Sequence, residues 1–223
     1  MTSARLGDIL GPMAVAPHDD VEAPVAALGT TSRWRSGGIR GNQLLTSAIA
    51  VVLIALLAAE GVTILQLRDL VDEHMFIGLV LIPPVVLKLA STGYRFVRYY
   101  TGSRPYTAEG PPRLLLRMLA PVLVAATITL FASGVLMLAA GHTSRSLLQI
   151  HQTSAIVWAA VFAVHFLAYI PRVVRSITTA LRATRENAVP GAGVRDLLVA
   201  SATGGGVALA VSLLPVIHSW HGG

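Results

Sequence analysis

The chain has 223 residues, 54% of them hydrophobic and 13% charged, with 17 basic side chains against 11 acidic ones and no cysteine. A soluble domain carries about 25% charged residues, and the mean hydropathy of +0.67 points the same way, so an ordinary soluble globular protein is excluded. Without cysteine there are no disulfides, thiolate zinc sites, cysteine-held iron–sulfur clusters or covalently attached haem, and any redox chemistry falls to other ligands.

Residues 1–41 mix small residues, Pro, Gly and charges, and lack the apolar run of a secretory signal. They read as a mobile polar tail. Five apolar stretches follow, at about Leu44–Leu65, His74–Val97, Leu119–Ala140, Leu147–Val174 and Leu197–Ile217. Each is long enough for a hydrocarbon core about 30 Å thick, which takes roughly 20 apolar residues. The expectation is an all-α integral membrane bundle over 42–217, with a short outer tail at 218–223.

Arginine sets the direction. Arg33, Arg35 and Arg40 precede the first span, Arg95, Arg98, Arg104, Arg113 and Arg117 follow the second, and Arg172, Arg175, Arg182, Arg185 and Arg195 lie between the fourth and fifth. The opposite loops carry only Arg68 and Arg145. By the positive-inside rule the N-terminus is cytoplasmic and the C-terminus outside. Because topology accounts for the positive charge, a nucleic-acid partner is not indicated. Sixteen of the basic residues are Arg and one is Lys; in an Ala/Val/Gly-rich chain this suggests a GC-rich bacterial genome and hence a bacterial plasma membrane. Tyr94, Phe96, Tyr99 and Tyr100 read as an interfacial aromatic belt.

Of the seven histidines, His18 lies in the tail and His218 and His221 at the outer C-terminus. His142 adjoins Gly141 in an outer loop and reads as an interfacial residue. His74, His151 and His165 lie within spans, where ionisable groups are rare and usually functional. His151 and His165 are 14 residues apart, which puts them within about 40° on one helix face and about 21 Å apart along its axis. His74 is level with His151. Neutral imidazole is a good axial ligand for haem iron, so the set could hold a cofactor; the alternative is a set of hydrogen-bonded packing residues. Gly78 and Gly134 could make room for a flat macrocycle.

Other polar features admit ordinary readings. Pro83 and Pro84 favour a kink in the second span, although neighbouring helices commonly re-satisfy the freed carbonyls. Glu60, near the outer end of the first span, could snorkel outward, pair with Arg68 or carry protons, and snorkelling is the commonest outcome. Ser201 and Gly204 to Gly206 favour close packing of the fifth span in a bundle or a homodimer. No nucleotide loop, serine triad or metalloprotease motif occurs.

The segments HMFIGLVLIPPVVLK (74–88), GYRFVRYYTG (93–102) and HQTSAIVWAAVFAVH (151–165) resemble the membrane cytochrome b subunits of bacterial respiratory enzymes such as formate dehydrogenase and nickel-iron hydrogenase. The resemblance covers about half the chain. It implies that His151 and His165 each ligate a different haem b, that His74 is the outer partner, and that the bundle passes electrons between a peripheral oxidoreductase subunit and quinone. The family's fourth, inner histidine has no counterpart, since the inner half of the first span offers Asn42, Gln43, Thr46 and Ser47. Lys88 and Met118 are the remaining candidates for that inner partner. Failing them, His165 is expected to bond to a neighbouring helix or to line a proton or quinone pocket with Lys88. Two other classes of function stand beside electron transfer: a small transporter or ion conductor using Lys88, Glu60 and His165, and a structural anchor without cofactor.

Overall fold

The computed structural model describes residues 38–107, 114–182 and 191–220. The expected tail up to residue 37, with His18, and the last three residues, with His221, lie outside them. The described residues form α1 (Gly38–Leu65), α2 (Val71–Tyr100), the short α3 (Arg104–Thr107), α4 (Leu114–Ala140), α5 (Arg145–Arg182), α6 (Ala192–Ser212) and α7 (Leu214–Ser219). No strand occurs among them.

The chain is thus all-α, and α1, α2, α4, α5 and α6 are long and apolar enough to cross a membrane. Their outer surfaces explain why. Ile49 and Leu53 of α1 are buried while Val51, Ile54, Val62 and Ile64 of the same helix are exposed, and Ile156 of α5 is 71% exposed. Apolar residues on every face, with only one face packed on protein, mark a helix whose other neighbours are lipid.

The helices begin two to six residues before the apolar stretches, and α1 includes residues 38–41, which composition alone assigns to the tail. Adding a residue to an existing helix costs far less than starting one, so polar flanks continue the helix beyond the hydrocarbon. α5 runs on to Arg182 rather than Val174. α6 stops at Ser212 rather than Ile217, and α7 restarts beyond Leu213 with a proline in its first turn. That proline, Pro215, has no N–H to donate to the Val211 carbonyl, so the helix breaks there.

α2 is the hub, packed along α1 on one side and α6 on the other. Its Asp72 and Glu73 sit in the first turn and Arg98 in the last, the arrangement a helix dipole favours. Pro83 and Pro84 lie within α2 without ending it. Their missing N–H groups free the carbonyls of Leu79 and Val80 from the helix ladder. Gly206 of α6 presses against the Val80 carbonyl so closely that a Cβ at 206 would overlap it. Gly204 and Gly205 face open space, so one glycine of the three makes the close approach.

α4 and α5 form an antiparallel hairpin with extensive mutual packing. It turns at Gly141, whose φ of +71° is a backbone conformation that glycine adopts at little cost. Trp158 of α5 donates from Nε1 to Thr127 Oγ1 of α4 at 3.0 Å. The hairpin meets the α1/α2/α6 group along a sparse seam between α4 and α2. At the Arg-poor end the seam is tied by Trp220, which donates from Nε1 to Met137 O at 3.2 Å. There Leu79, Val80, Leu138, Ala210 and Ile217 form a buried cluster.

Candidate functional site

The polar groups of the seam gather at this same Arg-poor end. A short turn closed by Gln66 N–H to Thr63 O and Leu70 N–H to Gln66 O folds α2 back against α1. Glu60 and Thr63, near the end of α1, are thereby set opposite His74, near the start of α2. Glu60 Oε1 lies 2.9 Å from His74 Nδ1, with the two side chains 12% and 22% exposed. Thr63 is buried, donates to Glu60 O at 2.7 Å and has its Oγ1 3.3 Å from His74 Nδ1. Glu60 therefore turns inward to a histidine, not outward by snorkelling or toward Arg68. A buried carboxylate needs a partner of this kind in a membrane.

His151 arrives from the other half of the molecule. The α4–α5 turn places it opposite Ser133 and Gly134 of α4. Its Nδ1 is 3.1 Å from Leu130 O and 3.1 Å from Ser133 Oγ. A carbonyl can only accept, so Nδ1 carries the proton. The carboxylate of Glu60 imposes the same tautomer on His74. In their neutral forms both rings therefore present the Nε2 lone pair, and no hydrogen bond to either Nε2 occurs among the described residues. Histidines that bind metals characteristically have the other ring nitrogen held in this way.

The two imidazoles stand edge to face across the seam, with ring centroids 6.3 Å apart and planes at 87°. A ligating nitrogen lies about 2 Å from a first-row metal and about 1 Å from its own ring centre, so two imidazoles on opposite sides of one metal have centroids roughly 6 Å apart. The spacing fits that arrangement. Among the described residues no group of three or more His, Asp or Glu is placed to hold a metal ion. A pair of imidazoles suits a metal whose other ligands come with it, as in haem.

Neither glycine singled out in the sequence leaves an open slot here. A Cβ at Gly134 would come within 3.2 Å of His151 Cε1, and one at Gly78 within 3.8 Å of Glu60 Oε1. These spaces serve the His151 ring and the Glu60 carboxylate, respectively. Gly134→Val is expected to push the His151 ring out of register, because its branched side chain must occupy the volume of the imidazole. The imidazole resonances of His151 in the purified chain check this, with Gly78→Ala, where contact is ordinary, as the milder comparison.

At the level of the Arg-rich half the groups stay apart. His165 Nδ1 is 3.2 Å from Val161 O of its own helix. Lys88 donates from Nζ to Thr46 O at 2.8 Å, joining α2 to α1, and Thr46 Oγ1 continues to Ser91 Oγ at 3.2 Å. Asn42 Nδ2 donates to Ser91 O at 3.2 Å. Met118 is 63% exposed. No contact found among the described residues links His165 to Lys88 or Met118. From between the two levels to that of His165, Trp158, Phe162 and Phe166 stack along α5 with centroids 4.7 and 5.7 Å apart. His142 Nδ1 lies 2.8 Å from Ala140 O within its own turn.

Of the three histidines picked out by the sequence, the structure brings together His74 and His151. Glu60, Thr63 and Ser133 complete the site. A signal for them existed in hairpin register: Glu60 and His74 lie at similar distances from the α1–α2 turn, as do Ser133 and His151 from the turn at Gly141. Comparisons with protein-family models, curated proteins and solved structures return no match.

Proposed function

We propose that the chain is a b-type membrane cytochrome that carries electrons, with one haem held between His74 of α2 and His151 of α5. One observation carries this reading: two imidazoles from different helices, with centroids 6.3 Å apart, each engaged through Nδ1 and each with Nε2 left for a metal. Bound there, haem iron supplies one-electron oxidation and reduction. The protein's own part is to fix both tautomers, through Glu60 for His74 and through Leu130 O and Ser133 for His151. Both helices belong to the set long and apolar enough to cross a membrane, and His74 lies in the first turns of α2, beside Asp72 and Glu73.

The Arg distribution supports an N-terminus on the cytoplasmic side of a bacterial plasma membrane, which puts the His74–His151 site toward the outer leaflet. Without flavin or dinucleotide motifs, or cysteine for clusters, the chain depends on others for electrons. The reading therefore includes exchange with a peripheral oxidoreductase subunit and with quinone, and makes the chain an electron-transfer subunit rather than a self-contained enzyme. A second haem at His165 is not included, because no partner ligand from another helix meets its ring among the described residues.

The test is the dithionite-reduced minus oxidised visible spectrum of purified protein from a haem-replete host. A b-type band with about one haem per chain is expected for a bis-histidine site. Protein that is purified without haem and also fails to take it up on reconstitution would overturn the proposal.

A further inference from the structure

Resting on the haem reading above, we infer that Glu60 is a positioning residue that sets the reduction potential of the site, holding it low by placing a carboxylate on the back of one ligand. The two imidazoles are supported by chemically different groups. His151 Nδ1 faces neutral acceptors, Leu130 O and Ser133 Oγ, both at 3.1 Å. His74 Nδ1 faces the Glu60 carboxylate at 2.9 Å. The carboxylate is only 12% exposed, so its charge is poorly screened by solvent. Thr63 Oγ1 lies 3.4 Å from Glu60 Oε2 and bonds the Glu60 backbone, which limits the ways the side chain can turn away.

Two physical effects follow, both of the same sign. A carboxylate accepting from Nδ1–H makes the imidazole a stronger electron donor at Nε2, as in carboxylate–histidine–metal triads. It also adds a fixed negative charge near the iron. Reduction adds one electron to the bound group, removes one unit of positive charge and moves no proton, since Nδ1–H stays on His74. Both effects favour the more positive, oxidised form and so lower the potential. Neutral acceptors behind His151 provide much less of either, so the tuning is carried by one of the two ligands. α1 thereby takes part in the site although it supplies no ligand.

The experiment is a redox titration of the haem band in the unsubstituted protein, Glu60→Gln and Glu60→Asp. Glu60→Gln keeps an oxygen acceptor but loses the charge. It is expected to keep its haem and spectrum and to titrate at a higher potential. Glu60→Asp, which keeps the charge, is expected to stay closer to the unsubstituted value. Glu60→Gln with full haem and an unmoved potential, or Glu60→Asp and Glu60→Gln shifted alike, would overturn the inference while leaving the haem site intact. Absence of haem from the unsubstituted protein would overturn the proposed function itself. If Glu60→Gln does not accumulate, the Nδ1–H proton resonances of the two histidines in the intact unsubstituted chain decide: a His74 proton shifted well downfield of that of His151, as a carboxylate acceptor produces, supports the inference, and two alike overturn it.

Discussion

Chains carrying His74→Ala or His151→Ala are expected to retain less than about a tenth of the haem of the unsubstituted protein, because loss of a ligand exceeds the 10- to 100-fold cost typical of losing its supporting group. His165→Ala is expected to keep nearly all of it. The contrast follows from the company each ring keeps: His74 and His151, from different helices, stand edge to face with centroids 6.3 Å apart, whereas no ligand from another helix meets His165 among the described residues. Removing either member of the pair leaves a single imidazole that cannot bridge the seam, and the two variants should be alike although they lie on different helices. Haem per chain, measured on protein purified from one host under one protocol, is the readout. Complete loss on His165→Ala alone would show that the ligands have been assigned wrongly.

The largest effect on stability is expected at Gly206. Gly206→Ala places a methyl group into the Val80 carbonyl, which is main chain and cannot rotate aside, so α2 and α6 must separate. Overpacking of this kind costs about 1–3 kcal/mol, and roughly 2–4 °C of melting temperature for each kcal/mol in a chain of this length. Gly204→Ala and Gly205→Ala meet open space and should be neutral or slightly stabilising, because alanine is the better helix former by about 1 kcal/mol. Thermal unfolding of the three variants in one detergent checks the order. Equal losses at all three would mean that small size along the whole stripe matters, and not one contact.

The five spans were readable from composition because lipid exposure removes the need for a polar face, leaving long apolar runs that a soluble fold does not produce. The pair His74 and His151 was readable from depth, since hairpins of similar length bring residues at similar distances from their turns to the same level. Glu60 was harder. Its position one turn or so from a span end is equally compatible with a charge directed outward, and only the fold of the 66–70 turn, which sets α1 against α2 at that level, directs it to His74. Among the glycines, sequence treats positions 204, 205 and 206 as equivalent; the orientation of α6 against the proline-bearing stretch of α2 distinguishes them. The break after Ser212 follows from Pro215, a local effect masked in the sequence by apolar residues on either side.

The grouping of the helices also bears on the order in which the molecule is built. α4 and α5 are consecutive and joined by a four-residue turn, so their packing closes on local contacts soon after both have been made. The group of α1, α2 and α6 is not consecutive: α6 reaches Val80 only after the whole hairpin has been synthesised and inserted. Long-range closures of this kind come late. The space between His74 and His151 is therefore bounded early by two preformed pieces and locked late by the arrival of α6 and by Trp220 on Met137.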